Sequence, residues 1–379
     1  MDQRDVKYSL GRILHRAVPK ELGSHNRFQQ PRRKRSTLHE VASLAKVSVS
    51  TASRALTGAG IVSRSTEARV NRVAQELGYR PNGIARSLKT RNSHLIGLVL
   101  HNLVNVSFHT VAEVAQTRLG PAGYQVILCI TGDDPEREAH YLQMLADHQV
   151  EGVLIVGTGR NSDLLRSLAD SGLPMIELIR ETHDVPLDRV LASDTQGAYE
   201  ATCYLIRLGH RRVGLIAGPE HVTSGRERPR GYAQALAEAE IPVDPQLIFR
   251  GPFSPETGML GTAALLDLTD PPTALLISNH ESVFGALPIL VERKIQIPAQ
   301  LSIICYEDVP WFKWWAPPLT VVDSSPAELA NLAVDLLLKQ LGGKQAVSEP
   351  PRRSAEYRVG ARLTIRESCS PPASQRERH

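Results

Sequence analysis

The sequence predicts an α/β protein in two parts: a small all-α head, then a larger two-subdomain body of parallel sheets flanked by helices. Three observations lead there. Charge is unevenly spread: residues 1–94 carry 19 Lys and Arg against 6 Asp and Glu, whereas the rest of the 379-residue chain carries 25 against 34. Short helical periodicities crowd residues 38–77, with no strand signal between them. From His94 onward, apolar runs alternate with helical patterns, as layered α/β folds require.

In chain order, residues 1–35 read as a basic disordered extension, with Arg32-Arg33-Lys34-Arg35 and little apolar periodicity. Residues 36–81 read as the head. Leu38, Val41, Ala42 and Ala45 share one helical face. Lys46-Val47-Ser48 breaks the pattern, and a second helix runs from Val49 to Leu56 with Ser48 as a cap. A third helix places Val70, Val73, Ala74 and Leu77 together, capped by Ser63 or Ser65 and ended at Gly78. Residues 82–93 read as a short hinge helix and linker, too short to be stable alone. Residues 94–368 form the body and 369–379 a flexible tail. Strands are expected at Leu95–Leu100, Val126–Ile130, Val153–Val156, Met175–Ile179, Val213–Ala217, Leu275–Ile277 and Leu301–Cys305. Helices are expected at 110–120, 135–148, 162–171, 196–208, 231–240, 256–267, 281–293 and 326–341.

Composition excludes several classes. No apolar run approaches the ~18–20 residues a membrane helix needs. No secretory leader is visible, and the four cysteines lack C-x-x-C spacing, which suits reduced thiols in a cytoplasmic, nucleoid-associated protein. No cofactor or metal is implied. The basic head on an acidic body suits a polyanion-binding unit attached to a separate domain.

Leu38–Leu56 has the makings of a helix-turn-helix. Ala42 and Ala52 permit two helices to cross closely. Val49, Ser50, Thr51, Ser53 and Arg54 give the second helix methyl, hydroxyl and guanidinium groups suited to base edges and phosphates. Val47 to Leu56, together with Leu77-Gly78-Tyr79-Arg80-Pro81-Asn82 and Ala85-Arg86-Ser87-Leu88-Lys89, resembles the lactose repressor family; the resemblance spans about 36–341. It implies a homodimer whose two heads read a palindromic operator in double-stranded DNA through Val49, Ser50 and Arg54, with Thr37 also facing DNA. It further implies a minor-groove wedge at Leu88, flanked by Ala85 and Lys89. A ligand that alters hinge spacing then alters DNA affinity.

The body resembles the family's effector domain, itself similar to periplasmic sugar-binding proteins. The resemblance places a small-molecule effector (a sugar, sugar acid or sugar phosphate) between the subdomains, contacted by Ser107, Phe108, Arg228, Phe253, Asn279 and Glu307. One of Trp311, Trp314 and Trp315 is a further candidate for the wall. Three departures stand out. Asn279-His280 replaces the usual Asn-Asp, Cys305 replaces a common glycine, and Ile179 or Arg180 stands where many relatives carry aspartate. An inward Arg180 would favour an anionic effector. The C-terminal segment has no leucine repeat, so a dimer rather than a tetramer is expected. The competing readings are an α/β enzyme or a solute-binding protein with an appended nucleic-acid head. Phosphate-loop, nucleophile-elbow and zincin motifs are all missing from the sequence, which speaks against an enzyme.

Overall fold

The computed structural model describes residues 36–57, 61–79, 92–342 and 354–373, and the chain divides into two compact units, 1–86 and 87–379. The division falls inside the expected hinge. The wedge residues Ala85, Leu88 and Lys89, and the extension 1–35, lie outside the described residues.

The head contains α1 (Leu38–Leu44), α2 (Val49–Thr57) and α3 (Arg64–Glu76). Its core is built from small residues: Ala42, Ala45, Ala52, Ala55 and Ala74 with Val41 and Val70. Small side chains let three short helices approach closely, which compensates for their lack of intrinsic stability. Thr37 and Glu40 form a reciprocal capping box on α1, and Ser63 caps α3. The turn between α1 and α2 needs a left-handed residue, and Lys46 takes it (φ 52°). Gly78 (φ 61°) closes α3, with the Tyr79 N–H returning to Ala74 O.

The body holds two six-stranded sheets among the described residues. The first subdomain runs β1 (Leu95–Leu100), α4 (Val106–Leu119), β2 (Gln125–Ile130), α5 (Pro135–Asp147), β3 (Gly152–Ile155), α6 (Ser162–Asp170), β4 (Met175–Leu178) and β5 (Asp188–Ala192). The chain crosses to the second with α7 (Asp194–Arg207), β6 (Val213–Ala217), α8 (Thr223–Glu238), β7 (Ile248–Arg250), α9 (Pro255–Leu266), β8 (Ala274–Ile277), α10 (His280–Glu292), β9 (Ser302–Tyr306) and β10 (Thr320–Asp323). It returns to pack α11 (Pro326–Gly342) on the first sheet and to add β11 (Glu356–Val359) at that sheet's edge. It then crosses once more to β12 (Arg362–Thr364). The orders are β11-β5-β4-β3-β1-β2 and β12-β10-β9-β8-β6-β7, parallel throughout except β10 with β12. These are the doubly wound layers the alternation predicts.

The differences from expectation have identifiable causes. Strands β5, β7, β10, β11 and β12 carry Asp, Arg, Thr or Glu in short runs that give no continuous apolar signal. Helix α8 begins at Thr223, not 231, although Gly225 and Pro229 fall within it. Proline cannot donate to the carbonyl of Gly225; the Arg250 guanidinium donates to it instead, at 3.2 Å. The tail is also held where it is described. Cys369 Sγ donates to Ile303 O and the Ser370 N–H to Ser302 Oγ, so flexibility does not begin at 369.

Candidate DNA-reading face and effector cavity

On the head, α2 displays Ser50 and Arg54 to solvent, while Thr51 and Ser53 are half-buried. Their bonds are local. Ser48 Oγ meets Ser50 Oγ at 2.8 Å and Thr51 Oγ1 at 2.7 Å, and Arg54 Nε donates to Ser50 O at 3.3 Å. The guanidinium is thus steadied along the helix while staying exposed. Two residues differ from expectation. Val49 is half-buried against the head core, so its methyl groups are only partly available. Thr37 uses its Oγ1 to accept the Glu40 N–H and its own N–H to donate to Glu40, a capping role.

In the body, a cavity of about 240 Å³ opens between the subdomains at the carboxyl ends of the strands. Phe108, Arg228, Phe253, Asn279 and Glu307 line it as expected. Phe253 lies against Gly218 so closely that a Cβ there would sit 2.1 Å from the ring. A side chain at 218 would therefore push the aromatic wall out of place. Arg228 is buried; its Nε donates to Asp194 Oδ1 at 3.0 Å, another of its nitrogens donates to Ser278 O, and its plane lies 3.9 Å from the Tyr306 ring centroid. Asn279 caps α10 through Oδ1, which accepts the Ser282 N–H at 3.1 Å. Its Nδ2, although buried, has no hydrogen-bond partner, and His101 Nδ1 at the same cavity shares that condition. Asp133 Oδ1 lies 3.7 Å from the His101 nitrogen, whereas a buried amide nitrogen such as Asn279 Nδ2 is costly unless something else meets it.

Ser107 and Glu307 take a different arrangement from the one expected. Ser107 is not part of the cavity wall; its Oγ donates to Glu307 Oε1 at 3.2 Å. The other Glu307 oxygen accepts from both His280 N–H and His280 Nδ1, so the carboxylate is already engaged. Burial would raise the Glu307 carboxyl, but the hydrogen bond and charge of His280 hold it below the usual carboxylate value. The His280 departure is thereby explained, since it balances Glu307. None of the three tryptophans lines the cavity. Trp311 and Trp314 are exposed, and Trp315 lines a separate apolar groove.

Several wall residues went unnoticed in the sequence: His101, Asn105, Asp133 and Glu281. His101 and Asp133 follow β1 and β2, the same strand-end position as Asn279 and Glu307, so applying the strand-end rule to every strand would have found them. Arg180, after β4, does face the cavity, but its Nη1 donates to Asp133 Oδ1 at 2.7 Å. Burial works against the ionised Asp133, yet the charge and hydrogen bond of Arg180 keep its carboxyl below the usual range. Glu281 is raised by burial, with the Asn105 amide, 3.1 Å away, offsetting part of the effect.

Comparison with known proteins adds to this geometry. Residues 37–82 match the family described as bacterial regulatory proteins, lacI family, and residues 202–369 match a periplasmic binding protein-like domain. The HTH-type transcriptional repressor PurR of Haemophilus influenzae (strain PittEE) is 31% identical over 334 residues, spanning 88% of this chain and 98% of its own. The lac repressor dimer bound to operator and the anti-inducer ONPF superposes with a TM-score of 0.76 at 26% identity, covering 89% of this chain and 100% of its own. A complex of the transcriptional regulator CelR with cellobiose gives 0.65 at 28% identity, covering 88% and 100%. These relatives are transcriptional regulators, not enzymes.

Proposed function

The chain belongs to the lacI family of bacterial regulatory proteins, and on that premise we propose that it is a homodimeric repressor whose effector is a neutral sugar. A ligand-responsive, DNA-binding repressor follows from the family itself. The neutral effector rests on one observation: the two cavity-lining arginines are already ion-paired within the chain, Arg180 with Asp133 and Arg228 with Asp194. An anionic ligand would meet arginines whose charge Asp133 and Asp194 already balance, and so would gain less attraction from them. A neutral polyol instead accepts from Asn279 Nδ2 and donates to Glu281 while Phe253 covers its C–H face. The CelR–cellobiose complex, similar in fold, supports a sugar.

Ser50, Thr51, Ser53 and Arg54 are the proposed base and phosphate contacts. Exposed Met259, Leu260, Val291, Trp311 and Trp314, on α9, α10 and the turn after β9, are the apolar side chains proposed to pair two bodies. The paired heads then read a palindrome. A second reading, a purine base, is favoured by the name PurR of the curated relatives and by the flat Phe108 and Phe253 walls. Calorimetric titration with glucose, glucuronate, ribose and adenine decides the effector class: binding of the acid in preference to its neutral partner overturns the charge argument, and binding of adenine alone selects the second reading. Selection of genomic fragments at moderate salt tests the DNA claim, and no enrichment over random sequence would refute it. Sedimentation of the full chain as a monomer would refute the dimer.

A further inference from the structure

Three consecutive side chains of α8 reach three different places. Arg226 Nη2 donates to Glu181 Oε1 at 2.9 Å, in the loop after β4 of the first subdomain. Arg228 holds Asp194, the first residue of α7 after the chain crosses between subdomains. Glu227 Oε2, between them, accepts from Arg358 Nη1 at 2.7 Å. Arg358 is planted in the first sheet. It lies on edge strand β11, and the same Nη1 donates to the carbonyl of Ala192, the last residue of β5, at 2.9 Å.

The surroundings make α8 a stiff lever. Gly231 rests so tightly on the first turn of α7 that a Cβ would lie 2.0 Å from the Thr195 carbonyl oxygen. Close by, a Cβ at Gly197 would meet Ala361 at 2.8 Å and Val322 at 2.9 Å, so the segments that cross between subdomains converge at one point. Glu227 and Arg358 are 17% and 33% exposed, partly shielded from solvent, so their attraction is screened less than that of a surface pair. Glu227 also feels the negative charges of Asp194 and Glu181, which Arg358 counters. Those two carboxylates have arginines of their own, Asp194 with Arg228 and Glu181 with Arg189 and Arg226, while Arg358 also donates through Nε to Glu356 on its own strand at 2.7 Å.

We propose that the Glu227–Arg358 ion pair is a positioning strut that sets the angle between the two subdomains, one residue away from the ligand-facing Arg228. The proposal rests on the reading of the body as an effector-responsive unit, because the strut matters only if that angle controls function. Ligand that moves Arg228 moves Glu227 with it, and the strut carries that motion to β11 and β5. An element bridging two bodies biases their equilibrium by the energy it contributes in one arrangement and loses in the other.

The test reads the angle directly and needs neither ligand nor operator, so its outcome is separable from that of the proposed function. Donor and acceptor dyes are placed on the exposed residues Asp163 (α6) and Glu240 (after α8) of the full chain through unnatural amino acids. Single-molecule energy transfer is recorded for wild type, Glu227→Gln, Arg358→Met and the charge swap Glu227→Arg with Arg358→Glu. Each single variant should change the ratio of interdomain-distance populations by about fivefold or more, and the swap should return it toward wild type. Single-variant distributions that coincide with wild type overturn the strut, even if melting temperatures fall, since a merely structural pair does only that. A shift that the swap does not reverse also overturns it.

Discussion

The candidate recognition helix and the candidate effector cavity solve opposite problems with the same side chains. On α2, Arg54 is exposed and its hydrogen bond goes to Ser50, four residues away. In the cavity, Arg228 is buried, and its partners Asp194 and Ser278 lie 34 and 50 positions away. A group that reads DNA must wait unsatisfied in water, where waiting costs little. A charged group that lines a buried cavity must be paired before the ligand arrives, because an unpaired buried charge is costly. Exposure and burial therefore set whether functional chemistry is arranged locally or across the fold.

The largest effect that follows is on Arg228. Arg228→Ala leaves Asp194 buried without its cation and should cost about 3–5 kcal/mol in urea unfolding of the body. A cost below about 1 kcal/mol would mean the cavity is not internally paired, and the contrast would fail.

Next is Glu177, fully buried beneath the loop that carries Arg180. Its Oε1 accepts the Thr182 N–H at 2.8 Å, and burial pushes its carboxyl up to about 7 despite that bond. Between the ordinary carboxylate range and pH 7, the folded chain holds a proton that the unfolded chain has released. Body stability should therefore fall as pH rises through that window, by on the order of 2–3 kcal/mol, and stay lower above it. Thermal unfolding from pH 5 to 8 should show the slope in wild type and lose it in Glu177→Gln. An unchanged slope in the variant assigns the effect elsewhere.

Arg54→Ala sharpens the other side. Operator affinity should drop by about 1–3 kcal/mol, read by electrophoretic shift at fixed salt, while stability changes by less than about 0.5 kcal/mol. Joint loss of effector binding would blur the two regions.

The smallest effect belongs to Thr37→Ala, which removes a cap and should cost about 1 kcal/mol of head stability. It should show as faster amide exchange in α1. A loss of operator affinity without that fraying would restore Thr37 as a direct DNA contact.

Much of the fold is legible in the sequence alone, and what is not has physical reasons. The three head helices were visible because their apolar faces repeat within a few residues, and Ser63 and Gly78 mark a start and a stop. Of the seven strands the pattern predicts, β1, β3, β4, β6, β8 and β9 are buried along nearly all their length, whereas β2 is a half-exposed edge strand marked only by its apolar residues. Strand β11 gives no apolar run because Glu356 and Arg358 alternate with Tyr357 and Val359 at a sheet edge, and α8 reads as shorter because a proline inside a helix normally ends it. Phe108, Arg228, Phe253, Asn279 and Glu307 line the cavity. The partners that define their chemistry did not show in the sequence.

The order of residues by itself determined the division into a basic head and an acidic body, the layered alternation, and the family to which the chain belongs. These depend on short-range periodicity, composition and contiguous motifs, which a linear reading contains. Only the tertiary structure decided that Arg180 is neutralised by Asp133, that His280 occupies the carboxylate of Glu307, and that Arg358 reaches Glu227 from 131 positions away. Charge pairing depends on distance in space, and the crossings between the two subdomains bring together side chains that no local pattern relates.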